Sequence, residues 1–157
     1  MPPWADQWAA YGLSVMGDWG LEEHHITYAE SLAERFGLLV RSESQRRETL
    51  YSSLTRGPEA RAAGMGTWVE GLTSLWLLAG EDERLAHIRG DIAERAMCGA
   101  GMLQDRQVGE DEAGDYARPD IAAGAWFDEG LTRMDDQQHA ISGLMRTRTI
   151  LQEQGAE

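Results

Sequence analysis

The densest run of chemistry-bearing side chains is Met134-Asp135-Asp136-Gln137-Gln138-His139. Asp135 and His139 stand four apart, so a helix places them on one face. A carboxylate beside an imidazole raises the imidazole pKa and orients the ring for acid–base work. The same residues also suit a helix start, with Asp135 as N-cap and Asp136 in the first turn, where negative charge meets the positive end of the helix dipole. Glu70 is the second candidate. It sits between Trp68 and Leu72 in the most apolar stretch of the chain. A carboxylate there either pairs with an arginine such as Arg61 or lines a polar cavity. Glycosidic-bond cleavage uses two carboxylates facing each other, one as acid and one as base or nucleophile. Glu70 with Asp135 or Asp136 fits that requirement.

A metal site is the alternative. Glu22-x-x-His25 and Asp136-x-x-His139 both match the carboxylate-x-x-His spacing of di-iron helix bundles. Against it, one motif uses Asp where Glu is usual, and the glycine-rich segments suit a long regular bundle poorly. No cofactor is implied: the chain has no glycine-rich phosphate loop, no CxxC and no serine nucleophile elbow. Of the six tryptophans, Trp4, Trp8, Trp68 and Trp76 fall on helical stripes and read as core. Trp126, in Gly124-Ala125-Trp126-Phe127, has the best claim to a ligand.

The elements that position these groups are all helical. Trp4, Trp8, Tyr11 and Val15 recur at helical spacing over 4–16, ahead of a turn at Gly17-Asp18-Trp19-Gly20. A second helix is expected from about Leu21 to Leu39, weakened at its end by Gly37. Residues 44–54 are polar and helix-compatible, and Gly57-Pro58 breaks the chain. The next helix, near 59–79, carries Ala60, Ala62, Ala63, Gly64 and Gly66, small residues that let backbones approach closely. From Trp68 onward it is apolar on nearly all sides, which requires burial on more than one face. Asp82 caps an amphipathic helix with Leu85, Ile88, Ile92 and Met97 on its stripe. Residues 99–133 read as a long irregular segment, a type often functional. A last helix starts near Asp135. No convincing strand pattern occurs.

Three helical segments share one pattern: Gln7-Trp8-Ala9-Ala10-Tyr11-Gly12-Leu13, Val69-Glu70-Gly71-Leu72-Thr73-Ser74-Leu75 and Gln138-His139-Ala140-Ile141-Ser142-Gly143-Leu144. They recur at an interval suited to a helical hairpin plus its loop. Buried helices carrying small residues and Trp, each followed by an amphipathic one, resemble the α/α-toroid, the six-hairpin glycosidase-like family. The likeness rests on Gly66-Thr67-Trp68-Val69-Glu70-Gly71-Leu72, on Leu77-Leu78-Ala79-Gly80-Glu81-Asp82-Glu83, and on Met134 to Ala140. It implies an all-α fold of antiparallel helical hairpins, here a partial toroid because a full ring has about twice as many helices. It implies a single helical domain over 1–157, part of a larger toroid or a half-ring. It also implies a sugar-handling site at a cavity mouth, with hydrolase, lyase or epimerase chemistry. Glu70, Asp135, Asp136 and His139 would be the catalytic set, with Trp126, Trp68, Arg61 and Gln138 contacting substrate. A fold alone licenses no activity, so the second expectation is a non-catalytic helical interaction domain that dimerises.

Composition bounds the partners. The 157 residues suit one domain with a sizeable core. A net charge of −13 argues against nucleic acid, because phosphate binding needs clustered basic residues. All 14 basic residues are arginine, the better fork for carboxylates. No run approaches the length of a transmembrane helix, and the N-terminus does not resemble a signal peptide. With one cysteine, Cys98, no internal disulfide forms, and a reducing, cytoplasmic setting is expected. The expected partners are a sugar-like small molecule and a second copy or an upstream domain, without nucleic acid or membrane.

Overall fold

The computed structural model describes residues 6–46, 54 and 58–155, and these form helices joined by short connections. Helix α1 spans Gln7–Met16; Asp6 starts it by accepting from the backbone N–H groups of Trp8 and Ala9. A 3₁₀ turn, Gly17–Trp19, ends at Gly20, whose φ of +83° suits glycine. Helix α2, Glu23–Ser44, begins with a capping box in which Glu22 and His25 satisfy each other's backbone N–H groups. It runs straight through Gly37, past the end expected at Leu39. The helix expected over 44–54 falls mostly outside the described residues, as does Trp4.

Helix α3, Ala62–Glu81, is the centre of the molecule. Asp82 turns the chain into a 3₁₀ run, Glu83–Ile88, continuous with α4, Arg89–Asp105. Residues 99–105, expected to be irregular, are therefore helical. The rest of that segment holds two single-turn helices, α5 (Glu110–Ala113) and α6 (Pro119–Ala122). It has a small core of its own, in which Val108, Ala113 and Ala122 pack with Tyr116 and Phe127. The chain closes on α7, Met134–Glu153. The all-α expectation holds.

Named contacts give the helix directions. Asp136 meets Ala63 and Arg146 meets Ser74, so α7 runs parallel to α3. Gly17 lies against Leu78 and Glu81, which places the end of α1 beside the end of α3. In contrast, Phe36 packs on Gly71 and Arg84 reaches back to the Leu21 carbonyl, so α2 opposes α3. Helix α4 opposes it too, with Gly99 on Val69 and Arg106 at Ala60. The three segments sharing the sequence pattern are thus α1, α3 and α7, which point one way. Helices α2 and α4 cover the back of α3 and point the other way.

The small residues of α3 are not equivalent. A Cβ on Gly66 would lie 2.7 Å from the Ala140 nitrogen and closer still to the His139 carbonyl group, so only glycine lets the two backbones meet. Gly71 makes room for the Phe36 ring in the same way. Gly64 faces open space. The main core joins Leu32, Phe36, Leu72, Leu75, Leu78, Ile92 and Ile150. A second cluster joins Met65, Val69, Leu103, Trp126 and Ala140 under α7.

Candidate functional site

The expected site residues collect where α3 meets α7, in two separate groups. The first surrounds the N-terminus of α3. Arg61 occupies the N-cap position, and its Nη2 donates to Asp136 Oδ2 at 2.7 Å and to Asp135 Oδ1 at 3.3 Å. Its Nε stands 3.6 Å from Asp128 Oδ2, an ion pair too long for a hydrogen bond. Asp136 is only 1% exposed, and its Oδ1 accepts the Ala63 backbone N–H at 3.1 Å. That N–H is one of the donors a helix start leaves unpaired, so α7 caps α3 from outside. The Asp136 hydrogen bond outweighs burial and holds the Arg61 guanidinium above its ordinary range.

Sequence reasoning missed a matching carboxylate on the other side of the same helix end. Buried Glu43 accepts from Arg46, from Arg106 Nη2 at 3.0 Å and from the Ala60 N–H at 3.2 Å. Arg106 Nη1 also donates to the Ala60 carbonyl at 2.8 Å. Burial works to raise the Glu43 carboxyl, but the hydrogen bonds from Arg46 and Arg106 prevail and hold it below its ordinary value of 4.5. The positive end of the α3 dipole favours both carboxylates. The signal was present: Phe36, Val40 and Glu43 share one helical stripe, and a charge on an apolar stripe needs a partner.

The second group lies about two turns further along α3, and about one turn further along α7. His139 Nδ1 and Glu70 Oε2 are 2.9 Å apart, with side chains 17% and 14% exposed. The expected partner of His139 was Asp135; the structure gives it Glu70, because Asp135 is drawn to Arg61. The Ser74 hydroxyl donates to the Glu70 carbonyl at 2.9 Å, and Arg146 Nη1 donates to Ser74 Oγ at 3.3 Å. The Arg146 guanidinium stands over the Tyr11 ring, 4.9 Å from its centroid, and links α7 to α1. The His139 Nε2 has no partner among the described residues. An imidazole anchored at Nδ1 with Nε2 unengaged is suited to taking up or giving a proton.

The remaining candidates do not gather here as expected. Trp126 is 2% exposed; its Nε1 donates to the Leu103 carbonyl at 2.7 Å, and the Gln137 amide bonds its backbone on both sides. It is core, not a ligand platform, because the segment carrying it folds back under α7. Trp68 is half-buried against both main clusters, and Gln138 is exposed. Asp135 is not the N-cap of α7; Arg133 holds that position. The di-iron grouping is not formed. Glu22 and His25 belong to the capping box of α2, near Arg84 and the far end of α3, whereas Asp136 sits at its beginning. No three His, Cys, Asp or Glu side chains among the described residues are placed to hold one metal ion.

The first helix is inverted relative to expectation. Ala10 and Leu13 are buried, and the bulky Trp8, Tyr11 and Val15 face out. The small-residue face is the one that brings α1 close to α3. No helix among the described residues is long and apolar enough to cross a membrane. No protein-family model matches this chain, and no curated protein or solved structure matches it either.

Proposed function

We propose that this chain is a helical assembly domain that pairs with a second copy of itself through the outer faces of α1 and α7. The observation that carries this reading is the chemistry of α1. It contains no charged residue, although the protein holds 27 acidic side chains. Its outward stripe continues into the following turn as Trp8, Tyr11, Val15 and Trp19, with the two tryptophans 68% and 83% exposed. At about 150–250 Å² per fully exposed aromatic side chain, the three rings alone leave roughly 400 Å² of surface in water. Val15 enlarges this patch on α1, and Ile141 and Met145 are exposed on α7; apolar patches of more than a few hundred Å² are rare on isolated monomers. Aromatic residues and Met are enriched at interface centres, and acids are depleted there.

A second copy is favoured as the occupant because it would bring the same uncharged helix α1 to the contact, in a chain whose net charge is −13. The expected catalytic carboxylates support the same reading, since Asp135 and Asp136 are engaged by Arg61 and Glu70 by His139. Light scattering tests it. The expected mass is about 35 kDa, twice the 17.4 kDa of one chain. Trp8→Glu combined with Trp19→Glu should return the monomer with helical circular dichroism unchanged. A wild-type monomer at high micromolar concentration would refute the proposal.

A second reading is a sugar-handling site of toroid type at the Glu70–His139 pair. It is favoured by the incomplete burial of that pair, whose side chains are 17% and 14% exposed, near Tyr11 and Arg146. Saturable oligosaccharide binding lost in Glu70→Gln would support it.

A further inference from the structure

A cleft of about 520 Å³ lies between α2 and the run from the 3₁₀ segment into α4, on the side away from α1 and α7. Its floor is apolar, formed by Ala33, Leu72 and Ile92. Its walls are charged, and the charges are sorted. Helices α2 and α4 run parallel, so their residues line up level by level: Glu30 with His87 at 3.5 Å, then Glu34 with Asp91, then Gly37 with the Arg95 stem, then Arg41. One end is therefore acidic and the other basic. Arg41 and Arg95 meet no carboxylate among the described residues, in a protein where Arg46, Arg61, Arg84, Arg89, Arg106 and Arg118 all do.

Gly37 is the second observation. A glycine in mid-helix weakens the helix. No close approach demands it, because a Cβ there would meet the Arg95 side chain only at 3.5 Å, an ordinary contact. What its missing side chain does is keep the cleft open between the acidic and basic ends.

We propose that this cleft is a binding site for a short zwitterionic peptide of about three residues. Its amine lies toward Glu34 and Asp91, and its carboxylate lies on Arg41 and Arg95. An apolar central side chain rests on Leu72 and Ile92. The dimensions agree: Glu34 and Arg41 are seven residues apart on one helix, about 10 Å, and an extended tripeptide spans about 10 Å. The volume falls in the range of small-ligand sites, and forked arginines are the preferred partners of a carboxylate.

The test is titration of the full chain with the tripeptide Ala-Leu-Ala, followed by calorimetry and by amide chemical shifts of α2 and α4. Saturable binding at millimolar concentration or tighter is expected. Acetylating the amine or amidating the carboxylate should each weaken it about tenfold or more. Gly37→Leu should abolish it while helical content and solution mass stay unchanged, and the double variant Arg41→Gln, Arg95→Gln should mimic the C-terminal amide. Absence of saturable binding, equal affinity for the doubly capped peptide, or undiminished binding to Gly37→Leu would each overturn the proposal.

Discussion

Alanine at Gly66 should destabilise the protein even though it improves the intrinsic helix propensity of α3. In an open helix position, Gly→Ala gains about 1 kcal/mol. At Gly66 the new methyl would sit 2.7 Å from the Ala140 nitrogen and nearer the His139 carbonyl. These are backbone atoms in the middle of α7, so no side chain can rotate away. The two helices must separate, and overpacking of that kind costs about 3 kcal/mol. The net loss is about 2 kcal/mol, which at a urea dependence near 2 kcal/mol per molar lowers the midpoint by about 1 M. Gly64→Ala, in the same helix with open space at its Cβ, should instead gain about 1 kcal/mol. Urea unfolding followed by tryptophan fluorescence measures both. Because His139 is the residue displaced, the Gly66 variant should also shift its imidazole resonances, and the Gly64 variant should not. A Gly66→Ala protein as stable as its parent, or a Gly64→Ala protein equally damaged, would refute the close-approach argument.

Other outcomes follow from the ionic groups at the start of α3. Asp136→Ala removes a buried acceptor from both Arg61 and the Ala63 N–H and should cost about 3 kcal/mol. Asp135→Ala, next to it but half exposed, should cost about 0.5 kcal/mol or less by the same denaturation assay. The Glu43 carboxyl has its folded pKa below its ordinary 4.5. The stability it contributes is therefore complete above that value and disappears as pH falls through the lower folded pKa. Glu43→Gln should lose about 2 kcal/mol at pH 7, and its deficit should narrow steadily in urea titrations carried below pH 4.5; a constant deficit down to pH 2 would contradict the assignment.

Much of the scaffold was legible in the chain. Apolar spacing placed the long helices, and the run of small residues in α3 announced a crowded inner helix, because backbone approach and burial on several sides are local demands that a sequence records directly. The shared pattern of α1, α3 and α7 marked three helices that the structure sets parallel, and Glu70 and His139, equivalent within it, do touch. Side-chain pairing was not legible. Asp135 and Asp136 are adjacent and chemically alike, yet one is exposed and the other almost wholly buried, since only Asp136 faces the Ala63 N–H. Which face of α1 turns inward was misread as well. Bulk and hydrophobicity pointed to Trp8, Tyr11 and Val15, but a helix that must lie close to α3 buries Ala10 and Leu13 instead. Sequence therefore determined roughly where the long helices lie and that the third is crowded, but not that the helix before residue 99 continues to Asp105 or that two short helices follow it. Only the tertiary structure decided which charges meet and which apolar face is left over, because both depend on how helices distant in the chain approach one another.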